Sequence, residues 1–390
     1  MRAAWLVSFA LAAELAYRLT AGRPRAPRIA AAGFAALVLA LLCDDVTIWA
    51  RQAAGGMSEP LLVALVLGAA RAALGGHVRA ALVLGASAAL IRPEAVPLLM
   101  AYAAWSWRGD RRARPLAVAV TLAVPALWLA PELLGSGGGG SDRAQRGTGN
   151  PAESLWWAAT LPLAVAWPLA CLGARERGAP RVLGAGALGW IALVAAMTTL
   201  GFAGLARFAA PATAIVGVLG GVGLAGLLAR PRPRSARARV VVAAGLVVLV
   251  LASAVTAAGL PGRIGDLAHA WRSSARISDS HDRLRALVDG AGGRGQLLRC
   301  GRLATSDVLV RTALAWQLGV PLSHVVSFGA PSRRSGAFLV GLQASPGLRE
   351  DVRSGRLLAR HGEWSVWSVA CPLTASSPGA RSAGVSGATR

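Results

Sequence analysis

The chain has 390 residues, 55% of them hydrophobic, with a mean hydropathy of +0.52 and only 15% charged residues. Ordinary soluble domains carry about 25% charged residues, so this composition excludes a disordered chain, a coiled coil and a conventional cytosolic enzyme. The formal net charge of +23 comes from 41 basic residues against 18 acidic ones, and every basic residue is Arg. Ala and Gly dominate and Asn150 is the only Asn, a bias typical of GC-rich bacterial coding. A nucleic-acid partner would require these arginines to gather on one soluble face. They stand instead in short runs between apolar blocks, which is a topology signal, and no nucleic-acid binding is expected.

The apolar blocks run to roughly 15–22 residues, the length that crosses a hydrocarbon core of about 30 Å. Ten candidate spans follow in order: 3–17, 29–43, 60–75, 80–91, 95–107, 115–134, 154–172, 182–203, 208–229 and 240–260. The Arg-rich connections come after every odd-numbered span: Arg18 to Arg28, Arg71 and Arg79, Arg108 to Arg114, Arg175 to Arg181, and Arg230 to Arg239. The positive-inside rule puts these connections in the cytoplasm. The alternate connections hold most of the loop acids, including Asp44, Asp45, Glu59, Glu94 and Glu153. This alternation places the N-terminus outside. The first block carries Glu14 within its apolar run and lacks a convincing small-x-small cleavage site, so it reads as a retained helix. Trp49, Trp105, Trp107, Trp128, Trp156, Trp157 and Trp271 fall near span ends, as an interfacial belt does.

After residue 260 the texture changes. Shorter apolar runs alternate with helix-like stretches, which predicts a small α/β unit over 261–372 on the outer face and a disordered tail over 373–390. Expected helices are Leu267–Asp289 and Thr305–Leu318; expected strands are Gln296–Cys300, Ser323–Phe328, Ala337–Gly341, Arg356–Ala359 and Trp364–Ala370. Cys300 and Cys371 both lie in this unit, where an oxidising compartment permits a disulfide between them. A metal site is the rival use of these thiols, but neither has a His or a second Cys at ligand spacing. The fold class expected overall is mainly α: a polytopic transmembrane helical bundle of about ten spans with a small C-terminal α/β extracytoplasmic domain. The lipid bilayer is its first partner.

Ionisable residues at membrane depth are costly and mark function by default. Three clusters on the outer side qualify. The first is Asp44 and Asp45 with Glu59, paired carboxylates suited to a divalent cation or to general-base work. The second is the tight turn Ile91-Arg92-Pro93-Glu94, where Arg92 presents a fork suited to phosphate, although Arg92 and Glu94 could equally pair with each other. The third is Arg207, a lone cation before Phe208 and Pro211, either an anion partner or a side chain snorkelling to headgroups. The loop 135–154 is Gly-rich and reads as a linker or a mobile cover.

The Ser-Glu-Pro start of one span, the stretch "LGASAALIRPEAVPLL" and the Arg-Phe…Pro element together resemble GT-C-type integral membrane glycosyltransferases. These are polytopic enzymes that take sugars from polyprenyl-phosphate donors, among them bacterial mannosyl- and arabinosyltransferases. The resemblance covers about residues 10–230. It implies that a sugar passes from a polyprenyl-phosphate donor to an envelope glycan acceptor at the outer face. In it, Asp44, Asp45 and Glu59 supply carboxylates, while Arg92, Glu94 and Arg207 meet the substrates. Set against that pattern the chain begins at the second span, so the first span and its acid-bearing outer loop have no counterpart in these residues. Two rivals follow from that departure and from class: a non-catalytic envelope protein displaying the outer domain, and a secondary transporter. The transporter is disfavoured because the span pattern does not repeat between halves.

Overall fold

The computed structural model describes residues 2–41, 58–135, 150–160, 166–200, 206–229, 265, 272, 283–299, 303–305, 308–327, 336–340, 355–361 and 364–369. The chain divides into two compact units, Met1–Ser274 and Ala275–Arg390.

The described part of the first unit is helical throughout. Its helices are α1 (Arg2–Leu19), α2 (Arg25–Leu41), α3 (Glu59–Leu74), α4 (Val78–Ile91), α5 (Val96–Gly109), α6 (Arg114–Gly135), α7 (Pro151–Thr160), α8 (Ala166–Ala174), α9 (Ala179–Thr199) and α10 (Ala210–Leu228). Among the described residues, three helical segments are long and apolar enough to cross a membrane: Arg111–Ala130, Ala179–Thr199 and Arg207–Leu228. Helices α4 and α5 are slightly longer than the expected spans 80–91 and 95–107 but short for a bilayer crossing. Each has 14 residues and so rises about 21 Å, against a hydrocarbon core of about 30 Å. The expected tenth span, 240–260, lies outside the described residues.

Helix α10 is the axis of the unit. Every residue from Ala210 to Gly223 is buried, and the helix packs against α1, α2, α3, α8 and α9. It can be surrounded because glycines and alanines stand among its larger apolar residues where neighbouring helices approach. A Cβ on Gly223 would overlap the carbonyl oxygen of Leu169 in α8, and one on Gly221 would overlap that of Ala31 in α2. Backbones meet at this distance only where side chains are absent, the small-residue packing that holds helices together in lipid. The outer helices show the opposite pattern. Leu122, Leu127 and Leu129 of α6 and Val182 and Leu188 of α9 are exposed, an apolar exterior that suits a bilayer better than water. The described belt residues Trp105, Trp107, Trp128 and Trp156 are exposed as well.

Side-chain contacts bring the Arg-rich turns to one end of this unit. Glu14 near the end of α1 pairs with Arg18 at 2.8 Å and with Arg71 near the end of α3 at 2.7 Å. Arg23, in the α1–α2 turn, pairs with Glu176 of the α8–α9 turn and donates to the Val222 carbonyl at 2.7 Å. Arg79 of α4 donates to the Arg112 carbonyl in the α5–α6 turn at 3.2 Å.

The second unit contains a five-stranded sheet of order β2-β1-β3-β5-β4, formed by β1 (Leu303–Thr305), β2 (Val325–Ser327), β3 (Gly336–Val340), β4 (Arg356–His361) and β5 (Trp364–Val369). Strand β1 is parallel to β2 and β3, whereas β3–β5 and β5–β4 are antiparallel. Helix α11 (Gly293–Arg299) precedes β1, and α12 (Val308–Leu318) makes the crossover from β1 to β2. Their buried faces, with Leu297, Leu314 and Leu318, join Leu303, Val325 and Val366 in one core. The strand expected at Gln296–Cys300 is corrected here, because residues 296–299 form the last turn of α11. The residues that pair are the three of β1, all buried because this strand lies between two neighbours. Two left-handed glycines, Gly292 (φ 91°) and Gly293 (φ 76°), separate α11 from the helical stretch 283–290. Cys300, Cys371 and the expected tail 373–390 lie outside the described residues.

The packing of α10 predicts that Gly223→Leu lowers stability by about 1–3 kcal/mol or more, through overpacking against a backbone that cannot yield. Gly189→Ala on α9, where a Cβ meets nothing within 4 Å, is expected to leave the unfolding temperature of the detergent-solubilised protein unchanged.

Candidate functional site

At the end opposite the Arg-rich turns, Glu59, Arg92 and Arg207 meet, and Glu94 is buried two residues along the chain from Arg92. Glu59 opens α3, ahead of Pro60, where the positive end of the helix dipole favours a carboxylate. Arg92 caps the end of α4 in extended geometry (φ −141°, ψ 118°). Its conformation follows from Pro93, which bars the preceding residue from the helical region. Glu94 lies in the 3-10 turn Pro93–Ala95 that leads into α5. Arg207 belongs to the 3-10 turn Ala206–Ala209, from which α10 starts with Pro211 in its first turn.

Glu59 is the hub. Its side chain is 1% exposed, and its Oε1 bonds Arg92 Nη2 and lies 3.8 Å from Arg207 Nε. Its second oxygen, Oε2, is buried without a hydrogen-bond partner. Phe208 lies beneath both cations, its ring centroid 4.8 Å from Arg92 Cζ and 5.6 Å from Arg207 Cζ. The Phe208 carbonyl in turn accepts from Trp190 Nε1 at 2.8 Å, so mid-helix α9 fixes the turn that carries Arg207. Arg207 is the more open of the two cations, at 32% exposure against 19% for Arg92.

Two of the sequence expectations change here. Arg92 pairs with Glu59, 33 residues away, and no ion pair between Arg92 and Glu94 is present among the described residues. Glu94 is itself buried, with Oε2 lacking a hydrogen-bond partner. Arg207 reaches a protein carboxylate as well as the surface, so headgroup snorkelling does not account for its position. Asp44 and Asp45 lie outside the described residues.

An apolar cavity of about 650 Å³ runs from Ala88, Ala95 and Trp190 along α5 past Leu99 and Tyr102 toward the Arg-rich end, where Leu74, Ala81 and Ala179 line it; Glu59, Arg92, Glu94 and Arg207 are not in its lining. The Tyr102 hydroxyl is buried and makes no hydrogen bond. Sequence reasoning overlooked Trp190 and this cavity. The signal was available: Trp190 falls mid-span, where the belt rule places no Trp.

Two guanidiniums held by one carboxylate make a preorganised anion site, because their positions are fixed before any ligand arrives. The same arrangement leaves Glu59 poorly suited to a divalent cation, since its Oε1 is already taken by two cations. Among the described residues no group of three His, Cys, Asp or Glu side chains converges as a metal site would.

Buried charges are asymmetric in cost. Arg92→Gln leaves a buried carboxylate with only Arg207 at 3.8 Å and is expected to lower stability by about 3 kcal/mol. Glu59→Gln leaves partly exposed cations that water can reach and is expected to cost about 1 kcal/mol. Thermal unfolding of the two variants in one detergent checks the order. Comparison of the chain with protein-family models, with curated proteins and with solved structures gives no match.

Proposed function

We propose that this chain is a polytopic membrane protein of about ten spans whose Glu59 end faces outward and receives a polyprenyl-phosphate sugar, which it transfers to an envelope glycan acceptor. The observation that carries the reading is the convergence of Arg92 and Arg207 on Glu59 at one end of a bundle with an apolar exterior. A ligand that suits this place is an amphiphile: a phosphate for the arginines and a hydrocarbon chain for the surrounding bilayer. The predominance of Arg at the opposite end supports the orientation, and the α/β unit then lies in the extracytoplasmic space.

In this reading an acceptor hydroxyl attacks the anomeric carbon of the donor sugar. A new C–O bond forms, and the bond between that carbon and the phosphate oxygen breaks with its electron pair leaving on the phosphate. Arg92 and Arg207 stabilise the charge that develops there. Glu59 positions both cations. The carboxylate of Glu94, with an oxygen bonded to nothing, accepts the hydroxyl proton, and Asp44 and Asp45 supply further acids to the same side. The commitment of Glu59 to two arginines also favours a second reading, in which the scaffold binds the lipid phosphate without turnover and displays the outer unit.

A transfer assay on membranes containing the full chain, with radiolabelled polyprenyl-phosphate sugars as donors, separates the two. The enzyme reading predicts transfer that falls about a hundredfold in kcat/KM for Arg92→Gln and Arg207→Gln. For Glu94→Gln, kcat falls about a hundredfold with little change in KM. Transfer unaffected by Arg207→Gln contradicts the arginine roles, and donor binding without transfer establishes the second reading.

A further inference from the structure

The Arg-rich end carries a second apolar recess, unconnected with the chemistry above. It has a volume of about 560 Å³ and lies between α1, α3 and α4. Val7 and Leu11 of α1, Leu61 and Gly68 of α3 and Leu84 of α4 form its walls, and Arg71 and His77 are its polar lining residues. Along α3 the lining runs from Leu61 to Ala72, a rise of about 16 Å. That is most of the length of α3, with Leu61 toward the Glu59 end and Arg71 and His77 at the Arg-rich end.

The polar end is built. Glu14 Oε2 accepts from Arg71 Nε at 2.7 Å, and the same carboxylate holds Arg18 at 2.8 Å. Arg71 is thereby held in place with 41% of its side chain exposed. His77, exposed ahead of α4, stands beside it on the recess lining, and the other Arg-rich turns gather at this same end. Val7 in the wall of the recess is exposed, so its outer side faces whatever surrounds the bundle.

Resting on the reading that the first unit lies in a bilayer, we propose that this recess binds one anionic phospholipid of the Arg-rich leaflet. An acyl chain fills the trough and the phosphate sits against Arg71 and His77. The cations select the headgroup charge, worth about 1 kcal/mol per basic residue near a membrane surface. The long apolar trough selects a lipid over a soluble anion. Glu14 acts as a positioning residue for Arg71.

The full chain, reconstituted in nanodiscs of equal phosphatidylglycerol and phosphatidylcholine and released for native mass spectrometry, tests this. The wild type is expected to retain phosphatidylglycerol in preference to phosphatidylcholine. Arg71→Gln lowers that preference about fivefold, while Arg71→Lys, which keeps the charge and can still meet Glu14, preserves it. Gly68→Leu fills the trough without touching the charges: the ideal Cβ there lies 3.4 Å from Leu84 Cδ1, an ordinary contact. It is expected to abolish retention of the lipid. Equal retention of the two lipids, unchanged retention by Gly68→Leu, or displacement by millimolar glycerol 1-phosphate each overturns the proposal. Recovery of the wild-type chain outside the membrane fraction overturns the bilayer reading itself, and this proposal with it.

Discussion

An ionised side chain inside an apolar bundle needs a partner of opposite charge, and the first unit is arranged around that requirement. Glu14, Glu59 and Glu176 each face arginine. Among the described residues these pairs occur only at the two ends, where helix termini and turns supply polar backbone. Between them the helices are joined by apolar and small side chains. Glu94 breaks the rule: it is buried at one end with a carboxylate oxygen that bonds nothing. A group held against its own preference is where function is to be sought, and it lies two residues from Arg92, the cation that Glu59 holds.

The pairs are held in register by α10. Its glycines let α2 and α8 approach to backbone contact, so the start of α10, with Arg207 and Phe208, is set relative to helices that ring it. Trp190 adds a lateral tie through the Phe208 carbonyl. Arg207 therefore reaches the cluster from a rigid element, and Arg92 from a turn whose backbone is set by proline. Such placement on fixed elements is what an anion site needs if its donors are not to reorganise on binding.

Much of this was legible in the sequence. Arginine runs after alternate apolar blocks gave the two ends, and isolated charges at block boundaries gave Glu59, Arg92, Glu94 and Arg207. Their assembly into one cluster was not legible, because Glu59, Arg92 and Arg207 belong to separate segments and meet only through helix packing. The pairing of Arg92 depends on the extended conformation before Pro93, which turns the side chain toward α3 and away from its sequence neighbour Glu94. The short blocks 80–91 and 95–107 were legible too, and α4 and α5 match them within two residues on either side of the Arg92-Pro93-Glu94 turn. In the second unit, the apolar Leu297 and Leu298 resembled a strand, while the true central strand β1 spans three residues and carries too little pattern to be read. Asp44, Asp45, Cys300 and Cys371 lie outside the described residues.

The central claim is that the Glu59 end is a site for a lipid phosphate. The most direct measurement is calorimetric titration of the detergent-solubilised full chain with a short-chain polyprenyl phosphate, for the wild type, Arg207→Gln and Arg71→Gln. The account predicts saturable binding that weakens at least tenfold in Arg207→Gln and is unchanged in Arg71→Gln, whose arginine lies at the opposite end. Equal affinities for all three proteins, or equal loss in the two variants, would contradict it.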